Sequence, residues 1–514
     1  MPILSSSVAF LLAAAAGALL VCGFAPFSWW WLTLVCPAAL YVALAGRSPG
    51  TAFLLGLVFG LVFFGLGISW TFNSIHEYGH APVWLGIFLV TLLVAVLALF
   101  PAVSALLFSK LCSDQALCLR GALAFATLWT ISEWVRGWIF TGFPWLLMGH
   151  AHHSSPLQGV VPILGSYGAS WVAVLTGCLA AVLVFAAVRK KLVSLAVLVL
   201  AAVLMLVTRQ LAWTTPAGEP LGIALIQGNI SQEEKWDRTK HAGILNRYKQ
   251  LSEANLDAEI IVWPESAIPT YFYKVRDSFI PDLEEIAKES GTDFLVGLFT
   301  YDQLTGGVYN SLMTFGEERS FYSKRRLVPF GEYIPFRDLA TFLARHIDLP
   351  MSDISAGKGR PLVKLKGYLV GASICYEVVY GNEIIEAMPE ADFLVNISND
   401  AWFGDSYAPE QHLEISRSRA IESGRYLLRA TSTGISAVID PKGLIVARSS
   451  QFQEDVVRAN IRPHEGQTPY SRLGNWTILA ILSCISLIIL LCHWHRTRSK
   501  TLSLNRPDRE MRHS

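Results

Sequence analysis

The chain has 514 residues, of which 53% are hydrophobic and 16% charged, with a formal net charge of +1. A mean hydropathy of +0.42 is too high for an ordinary soluble protein and indicates a membrane class. The near-zero charge supplies no basic face, so nucleic acid is not expected as a partner.

The apolarity is uneven. Residues 1–212 hold a series of long apolar runs, residues 213–473 read as a globular mixture, and a last helix at 474–494 precedes a basic tail at 495–514. Candidate spans fall at about 8–24, 28–46, 51–72, 83–109, 121–140, 160–188, 191–212 and 475–493. Each approaches the ~20 residues that a helix needs to cross a bilayer. Pro101 is expected to tilt or kink the fourth. The first run lacks a basic leader and is followed by further spans, so it reads as a retained helix and not as a signal peptide.

Cations alternate along this series. Arg47, then Lys110 and Arg120, then Arg189, Lys190 and Lys191, and finally Arg496, Arg498 and Lys500 follow the second, fourth, sixth and last spans. The loops 25–28, 73–82 and 141–157 contain no Lys or Arg. Positive charge stays on the cytoplasmic side, so both termini are expected there and residues 213–473 on the opposite, periplasmic side of the inner membrane. Glu133 and Arg136 stand three residues apart in the fifth span, among Trp129, Trp134 and Trp138. That spacing allows a pair, either structural and snorkelling or in contact with headgroups or a lid. His150, His152 and His153 follow without a nearby Cys or carboxylate, so they read as loop histidines near headgroups in preference to a metal site.

The external domain opens with a strand at Gly222–Gln227. Ser231-Gln232-Glu233-Glu234 reads as a capping box that starts a helix running to about Ala254, with Trp236 in its first turn as packing or as a substrate gate. A buried strand at Glu259–Val262 is stopped by Pro264. Glu265 lies just beyond it, as a general base or as an exposed loop residue. A helix at about 280–290 leads to strands at Phe294–Leu298, Tyr309–Phe315 and Ser320–Tyr322. Lys324, Arg325 and Arg326 then run into an apolar segment that carries Glu332. A lysine drawn into a cleft there would stabilise an oxyanion and a neighbouring thiolate. The apolar stretch 334–352 reads either as a core helix or as a lid or arm that touches lipid.

Tyr368–Ile374 has the length and bulk of a buried strand, and it ends in Cys375. Of the eight cysteines only this one lies in 213–473, which excludes a disulfide within the domain. A lone thiol in an oxidising compartment is a liability, so the reading shifts from a small buried hydrophobe to a nucleophile. A second buried strand runs into a polar loop over Ala391–Gly404; a helix at 408–423, strands at Tyr426–Thr431 and Gly434–Ile439, and a turn at 440–443 follow. Alternating strands and helices indicate an α/β sandwich with the candidate residues at strand ends.

Glu265, Lys324 and Cys375 sit in WPES (263–266), YSKRRLVPFGEYIP (322–335) and CYE (375–377), with ISNDAWFG at 397–404. In that order they resemble the Glu–Lys–Cys triad of the nitrilase superfamily. With EWVRGW and TGFPW in the fifth span and its loop, the whole chain is similar to the apolipoprotein N-acyltransferases, the membrane-embedded family of that superfamily. The resemblance implies a multi-pass helical bundle and an external αββα sandwich. It implies a ping-pong acyl transfer through a Cys375 thioester, with Glu265 as base and Lys324 at the oxyanion. It implies no cofactor or metal, a phospholipid donor (phosphatidylethanolamine), a diacylglyceryl lipoprotein acceptor, a bilayer setting and a monomer. By the same resemblance Glu332, Tyr376 and Glu377 support the triad and Trp236 helps to bind substrate, while Arg326 receives no role. Two rivals differ in class: a tethered amidase, for which one anchor suffices, and a transporter or scaffold, for which the bundle lacks a path of central charges.

Overall fold

The computed structural model describes residues 4–112, 116–329, 331–333 and 354–504, with side chains described as far as Arg498. The expected lid or arm at 334–352 and the end of the tail lie outside the described residues.

Eight long helices match the eight apolar runs: Ser6–Val21, Leu32–Leu44, Pro49–Gly67, Val83–Cys112, Leu119–Arg136, Val161–Phe185, Val188–Gln210 and Trp476–Leu504. Five stretches, Pro49–Gly67, Val83–Cys112, Pro156–Phe185, Val188–Gln210 and Trp476–Arg498, are long and apolar enough to cross a membrane, and the first two helices are shorter apolar ones. Leu119–Arg136 falls outside both groups because it carries Arg120, Glu133 and Arg136. The last helix continues past its expected end at 493, and Arg189 and Lys190 lie inside a helix instead of before one. Small residues bring two helices together: a Cβ on Gly60 would stand 2.7 Å from Pro101 Cγ and 2.8 Å from Ala98 Cα.

The globular part contains strands β1 (Thr214–Pro216), β2 (Leu221–Gln227), β3 (Ile260–Val262), β4 (Asp293–Tyr301), β5 (Val308–Phe315), β6 (Phe321–Ser323) and β7 (Leu362–Leu365). After them come β8 (Tyr368–Ile374), β9 (Phe393–Ser398), β10 (Leu427–Thr431), β11 (Ala437–Ile439), β12 (Ile445–Arg448), β13 (Asp455–Ile461) and β14 (His464–Gly466). They form two six-stranded sheets, ordered β13-β2-β3-β4-β5-β6 and β12-β11-β10-β9-β8-β7, and a small β1–β14 pair. Alternation along the strands builds the layers. Leu225, Val262, Leu295 and Leu312 face Val370, Ala372, Ile374, Val395 and Ile397 between the sheets. On the outside of the first sheet, Ala224, Ile226, Phe294 and Val296 meet Ile244, Tyr248, Leu283 and Ala287 of helices His241–Glu253 and Ile280–Ser290. The expected single helix to Ala254 is split in two, Gln232–Trp236 and His241–Glu253.

The second sheet is covered differently. Its outer layer is the helix Ala408–Ser423, whose Leu413, Ile415 and Ala420 share one continuous core with Phe24, Phe63, Trp145 and Leu175 of the helical bundle. Gln411 fastens the two parts: its Oε1 accepts from Trp145 Nε1 at 2.6 Å and Trp70 Nε1 at 3.2 Å, and its Nε2 donates to the Gly67 carbonyl at 3.2 Å.

Two structural expectations about the bundle require correction. Glu133 and Arg136 are both buried and make no ion pair within 4 Å of each other; each instead holds the loop that follows. Glu133 Oε1 accepts from Met148 N at 3.1 Å, and Arg136 donates to the carbonyls of Phe143 at 2.7 Å and Trp145 at 2.6 Å. A folded-back chain offers these two residues backbone partners, so neither has to snorkel. His150, His152 and His153 are buried, with partners in both the bundle and the sandwich, and are not exposed loop residues. His153 meets Glu414 at 2.6 Å and Ser418 at 2.8 Å, and His152 meets Thr33 at 3.0 Å and Ser155 at 2.8 Å.

Candidate active site

Parallel strands end together, and the site forms where they end. β3 stops at Val262, and Trp263 and Pro264 lead to Glu265, with Ser266 at a φ of +53°. Gly297 of β4 permits this turn, since a Cβ there would lie 2.3 Å from the Pro264 carbonyl oxygen and 2.8 Å from Glu265 Cα. Glu265 is buried, so the exposed-loop alternative is not met. Its Oε1 accepts from Asn310 Nδ2 at 2.6 Å and lies 3.6 Å from Lys324 Nζ.

Lys324 follows β6 and is fixed through its backbone N–H, which donates to the Asn310 carbonyl at 2.8 Å. Its Nζ meets Glu332 Oε1 at 2.8 Å, and Asn310 Nδ2 reaches the same oxygen at 3.2 Å. Glu332 is held in turn by the Val328 N–H at 2.8 Å. Burial works against the charge on Lys324, but Glu332 and Glu265 outweigh it and raise its pKa, so it stays an ammonium.

Cys375 leaves β8 at a φ of +53° and opens a short turn, Cys375–Val379. Ile374 pairs with Ile397 in parallel register, so Cys375 and Ser398 leave the sheet side by side. As a residue Cys375 is only partly buried. Burial and the Glu265 charge push its pKa up to about 12, against the pull of Lys324 and a hydrogen bond with Ser398. The thiol therefore rests protonated, and a base is needed to ionise it. Glu377 shapes the turn: its Oε2 accepts from the Ile374 N–H at 2.8 Å, and its Oε1 from Tyr322 OH at 2.7 Å and the N–H groups of Arg325 at 2.6 Å and Arg326 at 3.1 Å.

The bundle touches the same turn. Tyr376 OH donates to the Gly142 carbonyl at 3.1 Å, and Tyr380 OH lies 3.1 Å from the Thr141 carbonyl and 3.2 Å from that of Gly142. Phe140, at the tip of this loop, is 80% exposed. Arg325 and Arg326 pair with Glu386 at 2.6 Å and Glu383 at 2.5 Å. Trp236 is 51% exposed, so packing does not account for it; its ring stands 5.9 Å from Phe299.

The site also uses residues that the sequence did not single out. Lys235 is buried and donates to the Glu265 carbonyl at 3.2 Å. Asn310 bridges the two carboxylates, and its place in the alternation of β5 carries no mark that separates it from core. Behind Cys375, Asn396 Nδ2 donates to the Cys375 carbonyl at 3.3 Å and its Oδ1 accepts from Arg429 at 2.5 Å. Arg429 also donates to Asp400 Oδ2 at 2.7 Å, while Ser398 Oγ donates to Asp400 Oδ1 at 2.8 Å and His412 lies 3.2 Å away. Burial alone would raise the Asp400 pKa, but Arg429 and His412 hold it well below the carboxylate range. Among the described residues no group of His, Cys, Asp and Glu is arranged to hold a metal ion.

Residues 222–470 match the family model described as carbon–nitrogen hydrolase, the class that this sandwich and its Glu–Lys–Cys grouping define. Residues 16–179 match the apolipoprotein N-acyltransferase N-terminal domain. An apolipoprotein N-acyltransferase of Methylococcus capsulatus is 38% identical over 496 residues, covering 96% of this chain and 97% of the relative. One from Coxiella burnetii is 38% identical over 483 residues, covering 94% and 99%. The chain belongs to the apolipoprotein N-acyltransferase family. Among solved structures, Nit3 of Saccharomyces cerevisiae, a nitrilase-superfamily member, aligns with 48% of this chain and 93% of its own at 18% identity and a TM-score of 0.37.

Proposed function

We propose that the protein moves an acyl chain from the sn-1 ester of a phospholipid to the α-amino group of an S-diacylglyceryl cysteine, the last step of bacterial lipoprotein maturation. The observation that carries this reading is the meeting of Glu265 and Lys324, 3.6 Å apart, beside a cysteine turn that the membrane bundle itself contacts.

Glu265 takes the proton from Cys375, and the thiolate attacks the ester carbonyl. Lys324 stabilises the tetrahedral oxyanion. As it collapses, the protonated Glu265 gives its proton to the departing lysophospholipid oxygen, leaving a thioester. The lipoprotein amine then attacks, Glu265 removes its proton, and amide formation releases the thiol. Passing through a thioester divides one slow acyl transfer into two easier ones.

Both substrates are anchored in lipid, and contacts such as Tyr376 to Gly142 favour a site at that surface. The donor is phosphatidylethanolamine, the setting is the periplasmic face of the inner membrane with both termini cytoplasmic, and the protein acts as a monomer. Glu332, Tyr376 and Glu377 hold the triad, and exposed Trp236 contributes to substrate binding. A tethered amidase would use the same three residues with water as acceptor. Intact mass after exposure to phospholipid separates the readings. One added acyl chain that passes to a lipopeptide is expected in the wild type and none in Cys375→Ala; equal adducts in both proteins would overturn the assigned nucleophile.

A further inference from the structure

Lys235 is a buried cation that the reaction above leaves unused. It lies in the short helix Gln232–Trp236, is 1% exposed, and directs Nζ to the Glu265 carbonyl at 3.2 Å. The other lysine of the site, Lys324, has Glu332 at 2.8 Å and Glu265 at 3.6 Å. Lys235 has no carboxylate within 4 Å among the described residues, although the Glu265 carboxylate and the Cys375 thiol both lie within its field. Burying an ammonium without a direct counter-ion is costly, and a fold tolerates it where the charge has a use.

The charges facing the thiol give that use. Glu265 and Glu332 are opposed by Lys324 alone, and Asp400 is matched by Arg429, with His412 beside it. His412 is kept neutral by burial and by Arg429. Without Lys235 these groups, with the Glu377 carboxylate behind the turn, leave the surroundings of Cys375 net negative, and a thiolate would form against that excess.

We propose that Lys235 is a positioning residue for acyl transfer, fixing the Glu265 turn by its hydrogen bond and supplying the positive charge against which the Cys375 thiolate forms. In that step the S–H bond breaks, its electron pair stays on sulfur, and the proton passes to Glu265. Lys235 keeps its own proton, so the net charge of the group is the same before and after. Burial lowers the Lys235 pKa to about 8, which leaves it largely protonated at pH 7.

The inference rests on Cys375 as nucleophile, and its test does not use phospholipid. Full-length protein in detergent is treated with iodoacetamide over a range of pH, and labelling of Cys375 is followed by mass spectrometry. Lys235→Gln keeps a donor for the Glu265 carbonyl without the charge, Lys235→Met removes both, and Lys235→Arg keeps the charge. At pH 7.5 labelling is expected to slow about tenfold in the Gln and Met variants, a displacement of about one pH unit, and to stay within about threefold of wild type in the Arg variant. A wild-type curve for Lys235→Gln overturns the electrostatic role, whether or not Lys235→Met folds. An acyl adduct on Cys375→Ala would sink the nucleophile assignment while leaving the labelling curves unchanged.

Discussion

Glu377 receives the backbone N–H of Arg325 at 2.6 Å, so the turn that begins with Cys375 and the segment that presents Lys324 are tied by one buried carboxylate. The two come from different sheets, and nothing in their own strands fixes the spacing between them. Glu377→Gln keeps one oxygen for Tyr322, Arg325 and Arg326 but turns an amide N–H₂ on the Ile374 N–H. Two buried donors facing each other cost about 1–3 kcal/mol. The expected result is a lower thermal midpoint together with acyl-enzyme formation slowed by about tenfold or more, since a displaced nucleophile loses its near-attack geometry. A lowered midpoint with an unchanged acylation rate would show that the tie is structural only.

Glu265→Gln tests the base through pH. Burial pushes the Cys375 thiol up to about 12, so well below that pH the thiolate fraction grows about tenfold for each pH unit. With the carboxylate in place, proton removal is done within the site, and acylation should change little between pH 6 and 7, below the range in which Lys235 loses its charge. In the Gln variant the rate should be far lower at pH 7 and climb by about tenfold per unit, because only spontaneous ionisation remains. A flat profile in the variant would remove Glu265 from the proton transfer.

Gly297→Ala reaches the site through the backbone. The added methyl would stand 2.3 Å from the Pro264 carbonyl oxygen and 2.8 Å from Glu265 Cα, and neither can swing aside as a side chain could. Overpacking of this kind costs about 1–3 kcal/mol and should shift Glu265. Acyl-enzyme formation is expected to fall by about tenfold or more. Gly243→Ala is the control: in helix His241–Glu253 its methyl meets nothing within 4 Å, so the rate should hold and stability rise by about 0.5–1 kcal/mol.

Much of this arrangement is legible in the amino-acid sequence. The strand at Tyr368–Ile374 and the helix at 408–423 have the bounds that apolar pattern and turn residues indicate, because each is set by local chemistry. Ser231 caps its helix as its spacing foretells, with Oγ accepting from the Glu234 N–H at 3.2 Å. Glu265, Lys324 and Cys375 announce themselves by standing at strand ends in unusual strings. What stayed hidden depends on partners distant in the chain. Lys235 reads as a solvated helix residue until Glu265 closes over it, and Arg429 reads as an interruption of a strand until Asp400 and Asn396 meet it. His152 and His153 look like loop residues in the sequence for the same reason, since Glu414, Ser418 and Thr33 are remote from them along the chain.

Almost no side of the helix Ala408–Ser423 meets water, for one flank lies on the second sheet and the other on the bundle. A soluble truncation beginning near residue 213 would carry a raw greasy wall where Trp70, Trp145 and their neighbours had been, and would clump instead of dissolving. The two halves are not a detachable motor and mount. Grafting this sandwich onto another anchor would mean rebuilding a whole buried seam, and sequence drift on either side of that seam has to be answered on the other.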